Sequence, residues 1–396
     1  MSVNTMNFEQ SATLLTSLYK QATGETALTP TSEAEFVSLA QTTLRTNYDY
    51  MATAISQVLT RTIFAVRGYS GKLKGLAWDA PRYGGIVRKL TPLDIDIEDD
   101  ERYSLTDGQS VDMYKVNKPK SIQTNFYGET VHQLTYTIYK DQLDNAFESS
   151  AQFGSFMAMV IRNIMNQLEQ IEEAERRLAL TNMIGAKIDA DTDNCIHLIT
   201  EYKNDTGNTT ITKANYKSEE EFPFFAKWLY GRLETLIKFM SNRSSKYHMN
   251  ISTYNGVSVK PIMRFTDKEY MKIYLLTSLM KHINSSVLSS VFHKDLLTIP
   301  DYEEIDFWQS IESPENISVT PVIMDDTGAY ATGDAVETSD VVGVIFDEDC
   351  TGVGRIKEWS ATTPLNTVGG YWNTTMHFTT KPVLDLTENC VVLMMD

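Results

Sequence analysis

The feature that most constrains the fold is a strand that leads almost directly into one very long amphipathic helix. Residues 131–139 alternate between apolar and polar side chains, which is the period of a half-buried strand. Apolar residues then recur at helical spacing from Phe153 to Leu178. A helix over residues 150–183 would be about 50 Å long at ~1.5 Å per residue. Such a length predicts a spine that runs across a domain.

Composition allows a large folded protein and limits its partners. The chain has 396 residues, of which 42% are hydrophobic and 22% are charged, so it can bury a sizeable core and is not intrinsically disordered. The net charge of −17 repels phosphate, which argues against tight binding of nucleic acid by the bulk surface. Solubility is the simplest role for this charge; a surface that lies near DNA without adhering to it is the alternative.

The cysteines and the N-terminus indicate a reducing compartment. Cys195, Cys350 and Cys390 are far apart, a spacing that favours neither a disulfide framework nor a zinc site. The first residues carry no basic segment followed by an apolar one, so no signal peptide is predicted. No run approaches the ~20 apolar residues of a membrane span, and no membrane association is expected.

The N-terminal part is predicted to be an arm that carries one helix. Residues 1–30 are mostly polar. Ser32 and Glu35 have the spacing of a capping box, and an apolar stripe over residues 36–59 follows at helical spacing. We therefore expect residues 1–65 to form an N-terminal arm with a helix.

A long β-hairpin is predicted for residues 86–127. Strand-like segments at residues 86–90, 93–97, 113–116 and 122–127 flank a polar tip at residues 99–110. A lone two-stranded hairpin is marginally stable in water, so this one should pack on its own domain or on a neighbouring subunit. The residues predicted to make assembly contacts are Arg88, Lys89, Asp99, Asp100, Glu101, Arg102 and Tyr103.

The chain beyond the predicted spine mixes helices and strands. A strand is predicted at residues 195–200, and a helix with an uncertain start near Pro223 runs to Met240. Residues 266–269 form a second capping box, which predicts a helix that continues to Ile283. The other predicted elements are a short helix at 287–292 and strands at 317–324, 341–346, 371–379 and 390–394. The fold class is α+β.

The sequence contains no convincing catalytic or metal-binding motif. Residues 189–193 resemble the start of a calcium-binding loop, but Asn194 replaces the required glycine and Thr200 the final glutamate, so a solvated turn is expected. Nucleotide-binding, zinc-protease and serine-hydrolase signatures are missing, and the six histidines are scattered. We predict no catalytic residue, no cofactor and no metal site, and expect that the protein is not an enzyme.

The order of these elements resembles the HK-97-type fold of the major capsid proteins of tailed bacteriophages and herpesviruses. An arm, an extended hairpin, a strand, a spine helix, a mixed α/β insertion and closing strands follow one another along the chain. The likeness covers about residues 85–396, and the first 60 residues have no counterpart in it. The stretches that resemble capsid proteins of small short-tailed phages of the phi-29 group are 132–147, 153–156, 172–175, 287–292, 341–347 and 370–377. Their order carries more weight than any single motif.

The resemblance implies a domain organisation. It assigns residues 86–127 to an extended loop, residues 128–186 and 370–396 to a peripheral domain with the spine helix, and residues 187–365 to a mixed α/β axial domain. It implies self-assembly into pentamers and hexamers. These would form an icosahedral or elongated head shell that encloses double-stranded DNA without sequence-specific binding.

The resemblance also implies partners and a location, and it leaves alternatives. Scaffolding, portal and decoration proteins are the implied partners, with assembly in the host cytoplasm and a final place in the virion. An encapsulin-like cellular shell protein would share the fold, and a cargo-loaded shell from uninfected cells would favour it. A carboxylate-based hydrolase is the third reading, which a discrete monomer with a deep acidic cleft would favour.

Overall fold

The computed structural model describes most of the chain, namely residues 8–46, 72–78, 87–95, 100, 103–114, 116, 118, 120–126, 128–190, 192–254, 256–290 and 302–396. The described helices are α1 (Phe8–Thr23), α2 (Glu33–Thr46), α3 (Lys140–Ala146), α4 (Ser150–Ala190), α5 (Leu198–Thr206), α6 (Phe222–Met240) and α7 (Thr277–Ser290). The described strands are β1 (Ala77–Trp78), β2 (Val87–Pro92), β3 (Ser121–Phe126), β4 (Thr130–Tyr139), β5 (Cys195–His197), β6 (Thr253–Tyr254), β7 (Val257–Ser258), β8 (Met271–Leu276), β9 (Glu303–Ile305), β10 (Ile317–Val319), β11 (Val322–Met324), β12 (Tyr330–Thr332), β13 (Val336–Thr338), β14 (Val341–Asp347), β15 (Thr351–Thr362), β16 (Tyr371–Leu384) and β17 (Cys390–Met394).

The spine helix, α4, is the longest element. It has 41 residues and is therefore about 60 Å long at ~1.5 Å per residue, so the predicted helix is confirmed and continues beyond residue 183. Its start is held by another part of the chain, because the Ser150 amide and hydroxyl both donate to the carboxylate of Glu33 on α2. A carboxylate at this place satisfies an unpaired amide and complements the helix dipole.

The N-terminal part contains two helices where one was predicted. Within α1, Ala12, Leu15 and Leu18 are fully buried, and they share a core with Phe36 and the spine helix. Three apolar positions in a polar segment are too weak a pattern to predict a helix alone; burial against the spine supplies the rest of the stabilisation. The predicted capping box is partly confirmed, since the Glu35 amide donates to Ser32 Oγ at 3.3 Å. The predicted stripe beyond residue 46 lies outside the described residues.

A four-stranded sheet, in the order β1-β15-β16-β4, packs on the first half of the spine helix. β4 confirms the predicted strand and pairs antiparallel with β16, with Ile138 opposite Trp372. Alternate residues of these strands are buried against apolar side chains of the spine. The core that they share contains Ile138, Trp372, Met376 and Phe378 from the sheet, and Phe153, Met157, Ile164 and Leu168 from the helix.

A five-stranded sheet, in the order β5-β17-β14-β8-β9, lies between the second half of the spine helix and α5, α6 and α7. Its two central strands, β14 and β17, are antiparallel and buried on both faces. Ile345 and Val391 face α5, α6 and α7, whereas Val344 and Val392 face the spine residue Met183. Strands buried on both faces appear in the sequence as continuous apolar runs, as both of these do.

Several predicted elements differ from the structure. Residues 271–276, predicted as helix, form strand β8, and the helix begins only at Thr277. The hydroxyl of Thr266 donates to Asp347 Oδ2 at 2.7 Å, so the supposed capping residue makes a tertiary contact. Short apolar runs such as 273–276 fit a strand or a helix equally well, and pairing with β14 decides.

Smaller differences occur in other segments. The strand predicted at residues 195–200 ends at residue 197, where α5 begins. The strand predicted at 317–324 is interrupted at residues 320–321 and forms two strands, β10 and β11. Pro321, at the interruption, lies close to Gly185 of the spine helix. Residues 93–95 and 113–114 of the hairpin form no strand. The short helix predicted at 287–292 is, up to Ser290, the end of α7.

We predict that Ile164→Asp abolishes folding. Ile164 is 3% exposed in the core between the spine helix and the sheet, so the substitution buries an unpaired carboxylate at a cost of several kcal/mol. The matched control is Asn163→Asp, which places the same carboxylate on the neighbouring exposed position. Soluble yield and far-UV circular dichroism measure the outcome. A folded Ile164→Asp protein would contradict the assignment of this face to the core.

Candidate functional site: the hairpin and its buried anchor

Neither a metal cluster nor a membrane helix is found in the part of the chain that the structure describes. There, no group of three His, Cys, Asp or Glu side chains could hold a metal ion, and no helix is long and apolar enough to cross a membrane. Asp189, from the calcium-loop-like sequence, accepts a hydrogen bond from the Asp334 amide at 3.0 Å. It holds a neighbouring loop against the end of the spine helix.

The hairpin begins as a regular two-stranded ribbon. β2 and β3 pair antiparallel over their full length, from Val87 opposite Phe126 to Pro92 opposite Ser121. Side chains alternate between a buried and an exposed face, as they must along a pleated strand. The ribbon therefore presents one face to the body of the protein and the other to solvent.

Apolar contacts hold both ends of the buried face. Val87 and Phe126 pack against Val383 at the end of β16. Further along the ribbon, Ile122 shares a core with Leu386 and other residues. The ribbon thus lies along the segment that connects β16, in the four-stranded sheet, to β17, in the five-stranded sheet.

Between these apolar contacts lies an ionic group, here called the anchor cluster and defined as Lys89, Arg264, Asp385 and Glu388. Lys89 Nζ donates to Asp385 Oδ2 at 2.8 Å and to Glu388 Oε1. Arg264 Nη2 lies 3.2 Å from the same Glu388 oxygen and donates to the hydroxyl of Thr91 at 3.0 Å. Two cations and two carboxylates are therefore balanced at the base of the hairpin.

Burial makes these interactions stronger than surface ion pairs. The side chain of Asp385 is 1% exposed and that of Glu388 is 8% exposed. Burial opposes ionisation of Asp385, but Lys89 and hydrogen bonds from Thr387 outweigh it and hold the pKa of Asp385 below its usual value. For Glu388 burial is the larger effect, and its pKa is raised despite Lys89 and Arg264. Burial also opposes the charge of Lys89, but the two carboxylates raise its pKa.

The predicted contact residues fall in different environments. Arg88 lies on the exposed face of the ribbon, and Asp100 and Tyr103 are exposed further along the hairpin. Lys89 instead bonds to carboxylates of its own chain. The other three predicted residues, Asp99, Glu101 and Arg102, lie outside the described part.

Sequence reasoning missed the body side of the anchor cluster. Asp385 and Glu388 are 296 and 299 positions from Lys89, so no local pattern connects them. One signal was available: both carboxylates stand in a short stretch between the apolar end of one strand, residues 382–384, and a continuously apolar strand, residues 390–394. Charges in such a place are seldom buried without a partner.

The hairpin also carries apolar side chains that its own chain leaves exposed. Exposed fractions reach 87% for Tyr103, 81% for Met113 and 80% for Tyr114. The other strongly exposed apolar residues here are Leu90, Ile95 and Val116. A concentration of exposed apolar side chains on one projecting segment marks a protein interaction surface.

Comparison with known proteins assigns the chain to a family. Residues 15–394 match the sequence model of the Phi29-like phage major capsid proteins. The chain belongs to this family. It is a phage major capsid protein, and it self-assembles into the capsid shell of the virion.

Solved capsid structures show the same fold. The chain is similar to a chain in the capsid structure of Staphylococcus phage Andhra, with 12% identity, a TM-score of 0.50, and coverage of 82% of this chain and 84% of that one. It is also similar to a chain in a structure titled head fiber and inner core protein gp22 of native bacteriophage P68. There the identity is 12%, the TM-score 0.51 and the coverage 82% and 85%. No curated protein matches the sequence.

These comparisons confirm the resemblance inferred from the order of elements. The α+β capsid fold with a spine helix is shown. The encapsulin-like and hydrolase alternatives gain no support from them.

We predict opposite effects for the two carboxylates of the anchor cluster. Asp385→Asn should lower the free energy of unfolding at neutral pH by ~3–5 kcal/mol, because it breaks a buried ion pair. Glu388→Gln should leave stability unchanged or raised, because the raised pKa means that the charged form of Glu388 is disfavoured in the fold. Urea denaturation of soluble subunits measures both.

The pH dependence provides the control. A lowered pKa stabilises the fold above the unfolded value, about 3.9 for aspartate, and this contribution disappears as the pH falls through the folded pKa. The deficit of Asp385→Asn should therefore shrink in acid. The raised pKa of Glu388 makes its charged form destabilise the fold, and this penalty disappears as the pH falls below the unfolded pKa of glutamate. The free energy of unfolding of the wild type should therefore approach that of Glu388→Gln in acid. Equal losses from both variants would contradict the assigned charge states.

Proposed function

We propose that the chain assembles as pentamers and hexamers into an icosahedral or elongated head shell around double-stranded DNA, with the hairpin as the main intersubunit contact. The observation that supports this is the set of apolar side chains left exposed on the hairpin. A ribbon with so little core of its own gains stability by covering these residues on an adjacent subunit.

The outward face of the hairpin supplies the predicted assembly contacts. Arg88, Asp100 and Tyr103 are all exposed there, and we retain Asp99, Glu101 and Arg102 as proposed contacts. Lys89 contributes in another way, by holding the hairpin to its own body. Charged residues around an apolar patch are the usual composition of an interface rim.

We also propose a peripheral and an axial domain, with boundaries that follow the two sheets. β15 pairs with β16 along its whole length, so we assign residues 351–362 to the peripheral sheet. The axial domain was predicted to include them and to end at residue 365. β17 lies between β5 and β14, so we propose to assign the last strand to the axial sheet, although residues 370–396 were predicted to be peripheral. The spine helix contributes to the cores of both.

The proposed role is structural and not enzymatic, as membership of a capsid protein family supports. The net charge of −17 suits a shell that encloses DNA without sequence-specific binding, because like charges limit adhesion to phosphate. Scaffolding, portal and decoration proteins are the proposed partners, and the host cytoplasm is the proposed place of assembly.

We predict that Met113→Asp weakens assembly without changing the stability of the subunit. Burying a methionine side chain contributes ~1.5–3 kcal/mol, so the subunit concentration needed for assembly should rise about tenfold or more. Analytical ultracentrifugation measures assembly and thermal unfolding measures stability. Leu28→Asp is the control, since Leu28 is 94% exposed away from the hairpin. Equal assembly of all three proteins would contradict the hairpin contact.

We further predict that the chain expressed alone forms shells of mixed size, open sheets or tubes. The same surface must make nearly the same contacts in pentamers and hexamers, and head-to-tail contacts close only when the angle between subunits is fixed. A separate scaffolding protein would supply this angle. Electron microscopy of the chain expressed with and without the neighbouring phage genes measures the diameters. Uniform native-sized shells from the chain alone would show that the chain encodes its own curvature.

A further inference from the structure

The anchor cluster lies where three parts of the molecule meet. Lys89 comes from the hairpin, and Asp385 and Glu388 come from the segment that connects the two sheets. Arg264 belongs to the segment that precedes β8. Each of the three parts contributes at least one charged side chain, and no two of them account for all the ion pairs.

The body side of the cluster is rigidly held. The backbone of Arg264 pairs with Ser244 in both directions, at 2.9 and 2.8 Å, and Arg264 Nε donates to the Thr387 carbonyl at 3.1 Å. Asp385 Oδ1 accepts from the amide and the hydroxyl of Thr387 at 2.9 and 2.6 Å. Contacts within the body, without the hairpin, therefore hold the Asp385 carboxylate and the Arg264 guanidinium in position.

The hairpin side is held by contacts of two kinds. Its apolar contacts, at Val87, Ile122 and Phe126, are non-directional, so they allow the ribbon to tilt or slide at little cost. Charge-assisted hydrogen bonds depend on both distance and angle. Lys89 and Thr91 make such bonds with the body on the buried face, and Asp94 accepts one from Arg243 at the surface. The buried bonds are screened least by solvent, so we assign the orientation of the ribbon mainly to them.

A small change at the base has a large effect at the tip. About twelve residues separate Thr91 from Tyr103, which can span at most ~40 Å. A tilt of ~10° at the anchor would then move Tyr103 by up to about 7 Å, given that reach. The side chains of a subunit contact must be placed to well within this distance, because the packing density of an interface core matches that of a protein interior.

From this arrangement we infer that Lys89 and Arg264 are positioning residues for assembly: through the anchor cluster they set the direction in which the hairpin leaves the body. The inference rests on the proposed role of the hairpin as the intersubunit contact. It adds that the direction of this contact is set by side chains that are largely buried within the subunit itself.

The test compares wild type with Lys89→Met, Lys89→Arg and Lys213→Met. Lys89→Met keeps the stem of the side chain and removes the charge, whereas Lys89→Arg restores it. Lys213→Met is the matched control, because it removes an ion pair to Asp340 that lies at the surface. The three measurements are thermal unfolding, the rate of chymotrypsin cleavage in free subunits at Phe126, which is only 7% exposed in the ribbon, and particle shape by electron microscopy. The particles are made by expression with the neighbouring phage genes, because the wild-type chain alone is expected to give mixed shapes.

We expect Lys89→Met to free the hairpin without unfolding the body. Cleavage should become about tenfold faster, since proteolysis follows the population of the open form, and the particles should be irregular or open. Lys89→Arg should recover closed particles, and Lys213→Met should behave as wild type. A uniform loss of thermal stability would not by itself give faster cleavage at the hairpin relative to sites in the body.

Two further outcomes separate this inference from the proposed function. Where Lys89→Met alone does not fold, the pair Lys89→Met with Asp385→Leu replaces the ion pair by apolar contact and preserves folding; irregular particles from this pair support the inference. Closed particles of wild-type diameter and wild-type cleavage rates from either protein would overturn it. Wild-type protein that remains monomeric would overturn the proposed function. The cleavage rates would then still show whether Lys89 holds the hairpin to the body.

Discussion

The structure depends on the burial of one helix along its whole length. The first half of α4 shares a core with the N-terminal helices and the four-stranded sheet, where Phe153, Met157 and Ile164 are almost fully enclosed. Its second half shares a different core with the five-stranded sheet, through Leu180 and Met183. Because one rigid element enters both cores, the two sheets are held at a fixed separation along its axis.

The last turns of the spine helix show how close this packing is. A Cβ atom on Gly185 would lie 2.6 Å from Val319 Cγ1, so any larger residue would force the segment around β10 and β11 or its side chains to shift. Ala186, one position further on, is completely buried. Such contacts turn a long amphipathic helix, which would be marginal by itself, into the frame of the protein.

The hairpin, unlike the spine helix, is largely exposed. It leaves large apolar side chains such as Tyr103 and Met113 in solvent and is joined to the body by a ribbon with a short buried face. In the proposed role as an intersubunit contact, the hairpin would be stabilised by the anchor cluster within the subunit and by a neighbouring subunit in the shell.

The order of elements and the strongest patterns were predictable from the sequence. Period-2 alternation gave β4, continuous apolar runs gave β14 and β17, and a long 3.6-residue period gave the spine, each because burial on one or two faces leaves a repeating pattern. β8 was not predictable in this way. Residues 273–276 are continuously apolar and show neither the period of a strand nor that of a helix, so only the pairing with β14 makes this segment a strand. Helix α1 was missed because its three buried positions acquire meaning only next to the spine.

What the sequence determined by itself is the class of the protein, an acidic α+β chain with a spine helix and a projecting hairpin. Local periodicity and composition carry that information, since they depend on residues a few positions apart. Only the tertiary structure decided how the hairpin is held. Lys89 meets Asp385 and Glu388 across almost 300 positions, and the charge of one side chain contains no information about which distant charge will be buried beside it. That pairing exists because folding brings the end of one sheet and the start of another beneath the ribbon.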